Sequence, residues 1–265
     1  MSASQVLCNG VPADAAALQA LALVNYGHFT SMQVRGGAVQ GLDLHLQRLA
    51  EGNRALFDAP LGAAQLRAWM RLALAQMPDA SLRVTVFSRG FDHRQPQRPC
   101  QPDLLISLTP PAPPGQGAVT LQAVVFQRPL PQLKHVATLP LFHYRRQARL
   151  AGYDDALFLG PEDGRVIEGS VWNVAFWDGQ QVLWPRAQAL RGTCEALVRR
   201  GLAQLGVAQC EQVLSLEQAQ RLPAITLNAT GVQTVSAIEG AALPDGGELQ
   251  ALVARALDTQ PWAPI

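Results

Sequence analysis

One nine-residue stretch, Thr109-Pro-Pro-Ala-Pro-Pro-Gly-Gln-Gly117, limits what this chain can fold into. Four prolines there remove the amide donors that a helix or inner strand requires and fix φ, so the stretch reads as an extended linker. It divides the 265 residues into a smaller N-terminal domain, 1–110, a linker, 111–117, and a larger C-terminal domain, 118–265. Each part is long enough to bury its own core. Before the linker, Asn9-Gly10 predicts a primed hairpin turn within residues 5–12, and Gly36-Gly37 predicts a second hairpin over 29–39. Leu42, Leu46, Leu49, Leu56 and Phe57 recur at helical spacing, with Asp43 as the expected cap, and Leu66, Trp69, Met70, Ala73 and Met77 mark another helix. Strands are expected over 82–86 and 104–108. After the linker the pattern predicts a strand over 118–127 and a helix over 142–152. A strand-rich stretch with Asp163-Gly164 and Asp178-Gly179 turns follows, then helices over 193–205, 216–221 and 248–257. Ser215-x-x-Gln218 is a capping-box signature for the middle one. The class is therefore α+β, in two domains.

Composition excludes several partners. Twenty acidic residues balance 21 basic ones, leaving a net charge of +1, so neither nucleic acid nor an anionic membrane is favoured electrostatically. The longest apolar run, residues 15–24, is too short to span a bilayer. The opening Met1-Ser-Ala-Ser-Gln lacks a basic segment followed by an apolar one, so no secretory leader is expected and the cytoplasm is the default setting. Cys8, Cys100, Cys194 and Cys210 have no CxxC spacing, which argues against a zinc site and a disulfide framework, and no metal is expected.

The basic residues hide an asymmetry: twenty are arginines and one, Lys134, is a lysine. A guanidinium stays protonated and forms no imine, whereas a lysine amine can be deprotonated and attack a carbonyl. A solitary lysine where arginine serves everywhere else is a candidate for chemistry that arginine cannot do, and equally a solvated lysine left by coding bias. Downstream lie Glu168-Gly-Ser-Val-Trp-Asn173, then Leu190-Arg-Gly-Thr-Cys194 running into a helix whose first amides could receive an anion, then Asn228-Ala-Thr-Gly231.

The order Lys134, Glu168-Gly-x-x-x-Asn173, Gly192-Thr193 opening a helix and Ala229-Thr230 resembles the fold-type IV pyridoxal 5'-phosphate (PLP) enzymes. These include branched-chain aminotransferases, D-amino-acid aminotransferases and aminodeoxychorismate lyases. Phe29-Thr-Ser-Met-Gln-Val34, the Gly-Gly turn and His45-Leu-Gln-Arg-Leu49 are similar to the family's N-terminal pattern, so the resemblance spans nearly the whole chain. It implies a two-domain fold like that of the D-amino-acid aminotransferases. It also implies PLP bound as a Schiff base on Lys134 and a protonated ring nitrogen held by Glu168. Phosphate contacts would come from Arg48, Gly192, Thr193 and Thr230. Arg48 also reads as an ordinary arginine laid along the apolar Leu46 and Leu49, and Asn173 as a support for its strand. Arg94, in Arg89-Gly-Phe-Asp-His-Arg94, is the candidate clamp for a substrate carboxylate, and a solvated loop is its alternative. Tyr26 and His28 stand near positions that line the pocket in relatives, with a core role as the alternative.

The implied activity is transfer of an amino group between an amino acid and a 2-keto acid. Two alternatives stay open: 4-amino-4-deoxychorismate lyase chemistry, in which pyruvate is eliminated to give 4-aminobenzoate, and a non-catalytic PLP binder. Leu133-Lys-His135, the spacing from Lys134 to Asp155-Ala-Leu157 and Asn228-Ala229 are lyase-like, while Gln33 and Asn25-Tyr-Gly27 depart from that branch. Leu139 stands where branched-chain members carry a tyrosine. The resemblance further implies a homodimer acting on small amino and keto acids.

Overall fold

A computed structural model describes residues 5–75, 77–113 and 115–265. Residues 1–4, which carry much of the leader expectation, and Pro114 of the Pro-rich stretch lie outside the described residues. The chain forms two compact units. One comprises Met1–Ala112, Leu133–Ala137 and Trp262–Ile265; the other comprises Pro113–Gln132 and Thr138–Pro261. Lys134 thus belongs to the first unit although it follows the Pro-rich stretch in sequence.

In the first unit, β1 (Gln5–Cys8) and β2 (Val11–Pro12) form the expected hairpin, with Asn9 at φ 50° and Gly10 at φ 82° supplying the left-handed turn. The apolar run then becomes α1 (Ala15–Val24), an element the hydropathy pattern left unassigned. Its start is set by Asp14, whose carboxylate accepts from the Ala17 amide at 2.8 Å. β3 (Gly27–Val34) follows, then β4 (Ala38–Gln40), α2 (Leu42–Phe57), α3 (Ala63–Leu74), β5 (Ala80–Phe87) and β6 (Asp103–Thr109). The strands pair in the order β2-β1-β6-β5-β3. One face of this sheet presents Met32, Val34, Leu82, Val84, Ile106 and Leu108 to Leu49 and Phe57 of α2 and Leu66 and Met70 of α3. That cluster is the unit's core.

Two expectations are corrected here. The Gly36-Gly37 turn forms, with Arg35 and Ala38 exchanging backbone hydrogen bonds of 3.0 and 2.9 Å, but the hairpin stops at that bridge. The chain bends at Gly41 (φ 68°) into α2, and β4 pairs with the C-terminal strand Trp262–Pro264. The helix N-cap is accordingly Gly41, without a side-chain cap; Asp43 sits in the first turn, where its charge favours the amide end of the helix.

The second unit begins with β7 (Val119–Val125). It continues through α4 (Leu139–Leu150), β8 (Asp155–Leu159), β9 (Val166–Gly169), β10 (Asn173–Trp177), β11 (Gln181–Pro185) and α5 (Thr193–Gln204). β12 (Ala208–Gln212), α6 (Leu216–Ala219), β13 (Ala224–Asn228), β14 (Gly231–Ile238), β15 (Ala241–Ala242) and α7 (Gly247–Asp258) complete it. The Ser215–Gln218 capping box opens α6 as expected. The sheet order is β12-β11-β10-β13-β14-β7-β8-β9, with β15 on β14. β9 ends one edge while β10 lies near the other, and only residues 170–172 join them, so the sheet curls into a half-barrel. Its concave side holds Leu121, Leu157, Val166, Val174 and Phe176. On the other side α5 and α7 cover Val182, Trp184, Ile225 and Leu227. Those helices approach closely because Gly201 has no side chain: a Cβ there would meet the Ala256 carbonyl oxygen at 2.1 Å.

Candidate active site

In the first unit, residues 133–137 are stitched to β3. The Phe29 amide donates to the Lys134 carbonyl at 2.8 Å, the Val136 amide donates to the Gly27 carbonyl at 3.0 Å, and His28 bridges His135. Leu133, 7% exposed, anchors the start. A backbone fixed on both sides aims the lysine: Nζ of Lys134 stands 4.9 Å from the centroid of the Phe29 ring. On α2, His45 is buried and its Nδ1 lies 2.7 Å from Oγ1 of buried Thr30. Burial pushes the His45 pKa down to about 3, the nearby Arg48 and Lys134 charges push the same way, and Asp43 opposes them. His45 is therefore held as a neutral imidazole within reach of the Arg48 and Lys134 charges. Arg48, one turn further along α2, is half-buried. Lys134, His45 and Arg48 thus share one electrostatic neighbourhood.

In the second unit, Glu168 is 3% exposed on β9. The Nε–H of Arg128 donates to its Oε1 at 3.2 Å, and the Leu190 amide donates to its Oε2 at 3.2 Å. Asn173, at the start of β10, grips the same loop: its Nδ2 donates to the Leu190 carbonyl at 2.8 Å and its Oδ1 accepts from the Gly192 amide at 3.0 Å. One loop residue, Leu190, therefore ties the Glu168 carboxylate to the entry of α5. The Gly192 amide is engaged with Asn173, so the amides without an intrahelical partner at the start of α5 begin with Thr193 and Cys194. Glycine is required at 192 because a Cβ would lie 2.3 Å from Asn173 Oδ1. Thr230 stands apart, on the tight turn between β13 and β14. Its amide and its hydroxyl both donate to Asn228 Oδ1, at 2.8 and 2.6 Å. With Trp172 and Arg145 it lines a polar cavity of about 530 Å³ within this unit.

The family model for amino-transferase class IV matches residues 27–238, well over half of the chain. The chain belongs to the class IV aminotransferase family. Members of this family are PLP-dependent enzymes, transaminases or lyases. None of the curated proteins compared matches the chain. Among solved structures it is similar to a branched-chain aminotransferase of Thermoproteus uzoniensis, with 20% identity, 96% of this chain and 94% of that chain covered, and a TM-score of 0.86. A Legionella pneumophila protein assigned as a 4-amino-4-deoxychorismate lyase matches at 20% identity, covering 89% of this chain and 92% of its own, with a TM-score of 0.76. A hypothetical aminotransferase of Mycobacterium tuberculosis, in its PLP-bound form, matches at 20% identity over 95% and 97%, with a TM-score of 0.77. At these identities the likeness is one of fold.

The remaining candidates of this class IV chain are occupied differently. Tyr26 stacks on Phe91 at 4.1 Å and its hydroxyl donates to the Leu56 carbonyl at 2.9 Å, so both ends of the side chain serve packing in the first unit. His28 is 1% exposed, and burial lowers its pKa to about 4 against the opposing effect of a hydrogen bond with Asn53. Arg94 lies exposed in the loop after β5, its amide donating to Asp92. Sequence reasoning passed over Arg128, the Thr30–His45 pair and the double grip of Asn173. Arg128 follows a strand and precedes Pro129 and offers no periodic signal; only its burial beside Glu168 distinguishes it from the other arginines.

Proposed function

We propose that this class IV enzyme binds PLP through Lys134 and moves an amino group between an amino acid and a 2-keto acid. The observation that carries the reading is Glu168, an inward-facing carboxylate held by a buried guanidinium and a backbone amide. Such a group has no role in packing an apolar half-barrel, whereas it suits a partner for a protonated ring nitrogen. The donor set fits the cofactor: an amine for its carbonyl, an anion for its ring nitrogen, and helix-entry amides with an arginine for its phosphate.

When bound, PLP supplies an electron sink for the carbon that loses a proton. Lys134 would contribute the amine that holds the cofactor and would serve as the base for the α-proton. Arg128 fixes the orientation of Glu168, which would keep the ring nitrogen protonated. The Thr193 and Cys194 amides, with Arg48, would donate hydrogen bonds to the phosphate. Gly192 serves by admitting Asn173, and Thr230 joins the phosphate only when its hydroxyl turns from Asn228. Small amino and keto acids are the partners in this reading, with a homodimer in the cytoplasm as its setting.

A second reading, pyruvate elimination from aminodeoxychorismate, rests on Leu133-Lys-His135, on the spacing from Lys134 to Asp155-Ala-Leu157 and on Asn228-Ala229. A donor–acceptor screen with both enantiomers separates the two. Amino transfer dependent on a keto acid is the expected result; pyruvate release from aminodeoxychorismate without any keto acid overturns it in favour of the lyase. A cofactor absorbance that no amino donor shifts identifies a non-catalytic binder.

A further inference from the structure

His28 is a buried imidazole of β3 whose ring is seated against α2. A Cβ at Gly52 would lie 2.5 Å from its Nδ1, so glycine is what leaves room for the ring. Asn53 is its hydrogen-bonding neighbour and is itself held, its Nδ2 donating to the Ala59 carbonyl at 2.7 Å. Phe57 closes the socket, with its ring centroid 6.3 Å away. Gly52 follows Arg48 by one helical turn, so the socket and that arginine share a face of α2. On the strand side, the hydrogen bonds from Phe29 to Lys134 and from Val136 to Gly27 flank His28 and His135. Those two residues are thus a non-hydrogen-bonded antiparallel pair, with side chains close together on one face. Alternation puts buried Leu133 on that face too and turns Lys134 to the other, beside Phe29. A slip of one residue would carry Nζ to the α2 side. Backbone hydrogen bonds re-form at any register, so the fit of side chains has to select this one.

We propose that His28 is a positioning residue: seated in its α2 socket, it fixes the register of residues 133–137 on β3 and with it the spacing between the Lys134 amine and Arg48. The proposal rests on the reading of Lys134 as the PLP anchor. It gives His28 a role in place of the pocket-lining one that the sequence suggested. A cofactor that must reach the lysine with its carbonyl and the arginine with its phosphate depends on that spacing. A cofactor form without the carbonyl does not.

PLP and pyridoxamine phosphate test it, since both carry the ring and the phosphate but only PLP has a carbonyl for the lysine. Borohydride fixation of PLP on Lys134 of the wild-type protein comes first; its failure overturns the aminotransferase reading and the inference together. With fixation intact, calorimetric titration of the apoprotein gives the affinity for each compound. His28→Ala is expected to weaken PLP at least tenfold and pyridoxamine phosphate less than twofold. Gly52→Ala, which drives a methyl into the ring, is expected to do the same. The double variant, His28→Ala with Gly52→Ala, is expected to bind PLP better than Gly52→Ala alone, because the clash needs the ring. Leu66→Ala, a loss of core packing on α3, is expected to keep the wild-type ratio of the two affinities. A wild-type ratio in His28→Ala, whether both affinities hold or both fall, overturns the role of His28 and leaves the function standing. Should His28→Ala not fold, Gly52→Ala decides: a wild-type ratio there overturns the proposal.

Discussion

Arg128 and Glu168 form an ion pair 3.2 Å long in which each side chain is 4% exposed. Two charges at that depth hold each other in place, and removing one strands the other, at a typical cost of about 3–5 kcal/mol. Arg128→Met is expected to lower stability by that order and to weaken PLP binding. Arg128→Met combined with Glu168→Met is expected to recover most of the stability and none of the cofactor function, because no charge is left buried. Urea unfolding of the apoprotein, with PLP absorbance as the second readout, checks both; a double variant as unstable as the single contradicts the pairing.

Gly192 and Asn173 depend on each other. Asn173→Ala leaves the Leu190 carbonyl and the Gly192 amide without their partner, a loss of about 1–3 kcal/mol for groups of this kind. Gly192→Ala drives a Cβ against Asn173 Oδ1. The double variant is therefore expected to lose less than the sum of the two single losses, since the clash needs the asparagine. A thermodynamic cycle from denaturant unfolding measures this, and strict additivity contradicts it.

The local rules of the chain were legible where short-range chemistry decides. Asn9-Gly10 turned as its positive φ values require, Ser215–Gln218 capped α6, and Leu49, Phe57, Leu66 and Met70 reached the core their spacing indicated. What the local pattern could not carry was long-range pairing. β4 leaves β3 because a strand more than two hundred residues later pairs with it. Arg128 and Glu168 are forty residues apart and meet only through the half-barrel. Lys134 stands out in the sequence by its solitude and by the order of motifs after it, but its stitching to β3 has no sequence signal. The same limit applies to Arg94, which the sequence offers for a carboxylate and which lies exposed in the loop after β5.

Acid should loosen the first unit. His45 and His28 have pKa values lowered to about 3 and about 4, against 6.5 when unfolded. Between those values and 6.5 the unfolded chain binds more protons, so stability is full above about pH 6.5 and falls as pH drops toward 4. The slope approaches about 1.4 kcal/mol per pH unit for each histidine. His45→Gln is expected to flatten part of this dependence. Unfolding free energies at pH 4.5 and 7 test it, and a wild-type slope in the variant contradicts it.

The cysteines should separate by reactivity. Burial pushes the Cys194 thiol up to about 12 and also raises Cys8, which leaves little thiolate at either at neutral pH. Cys100 and Cys210 are partly exposed. Iodoacetamide at pH 8 is expected to alkylate Cys100 and Cys210 in the folded protein well before Cys8 and Cys194. Early labelling of Cys194, read by peptide mass spectrometry, runs against the arrangement at the start of α5.

The most direct test of the central claim is borohydride reduction of the protein after incubation with PLP, followed by peptide mapping. Lys134 is the chain's only lysine, so the α-amino group is the sole rival amine. The account predicts one pyridoxyl adduct, on Lys134, absent from a folded Lys134→Arg variant. An unmodified Lys134 in excess PLP, or an adduct confined to the N-terminus, contradicts it.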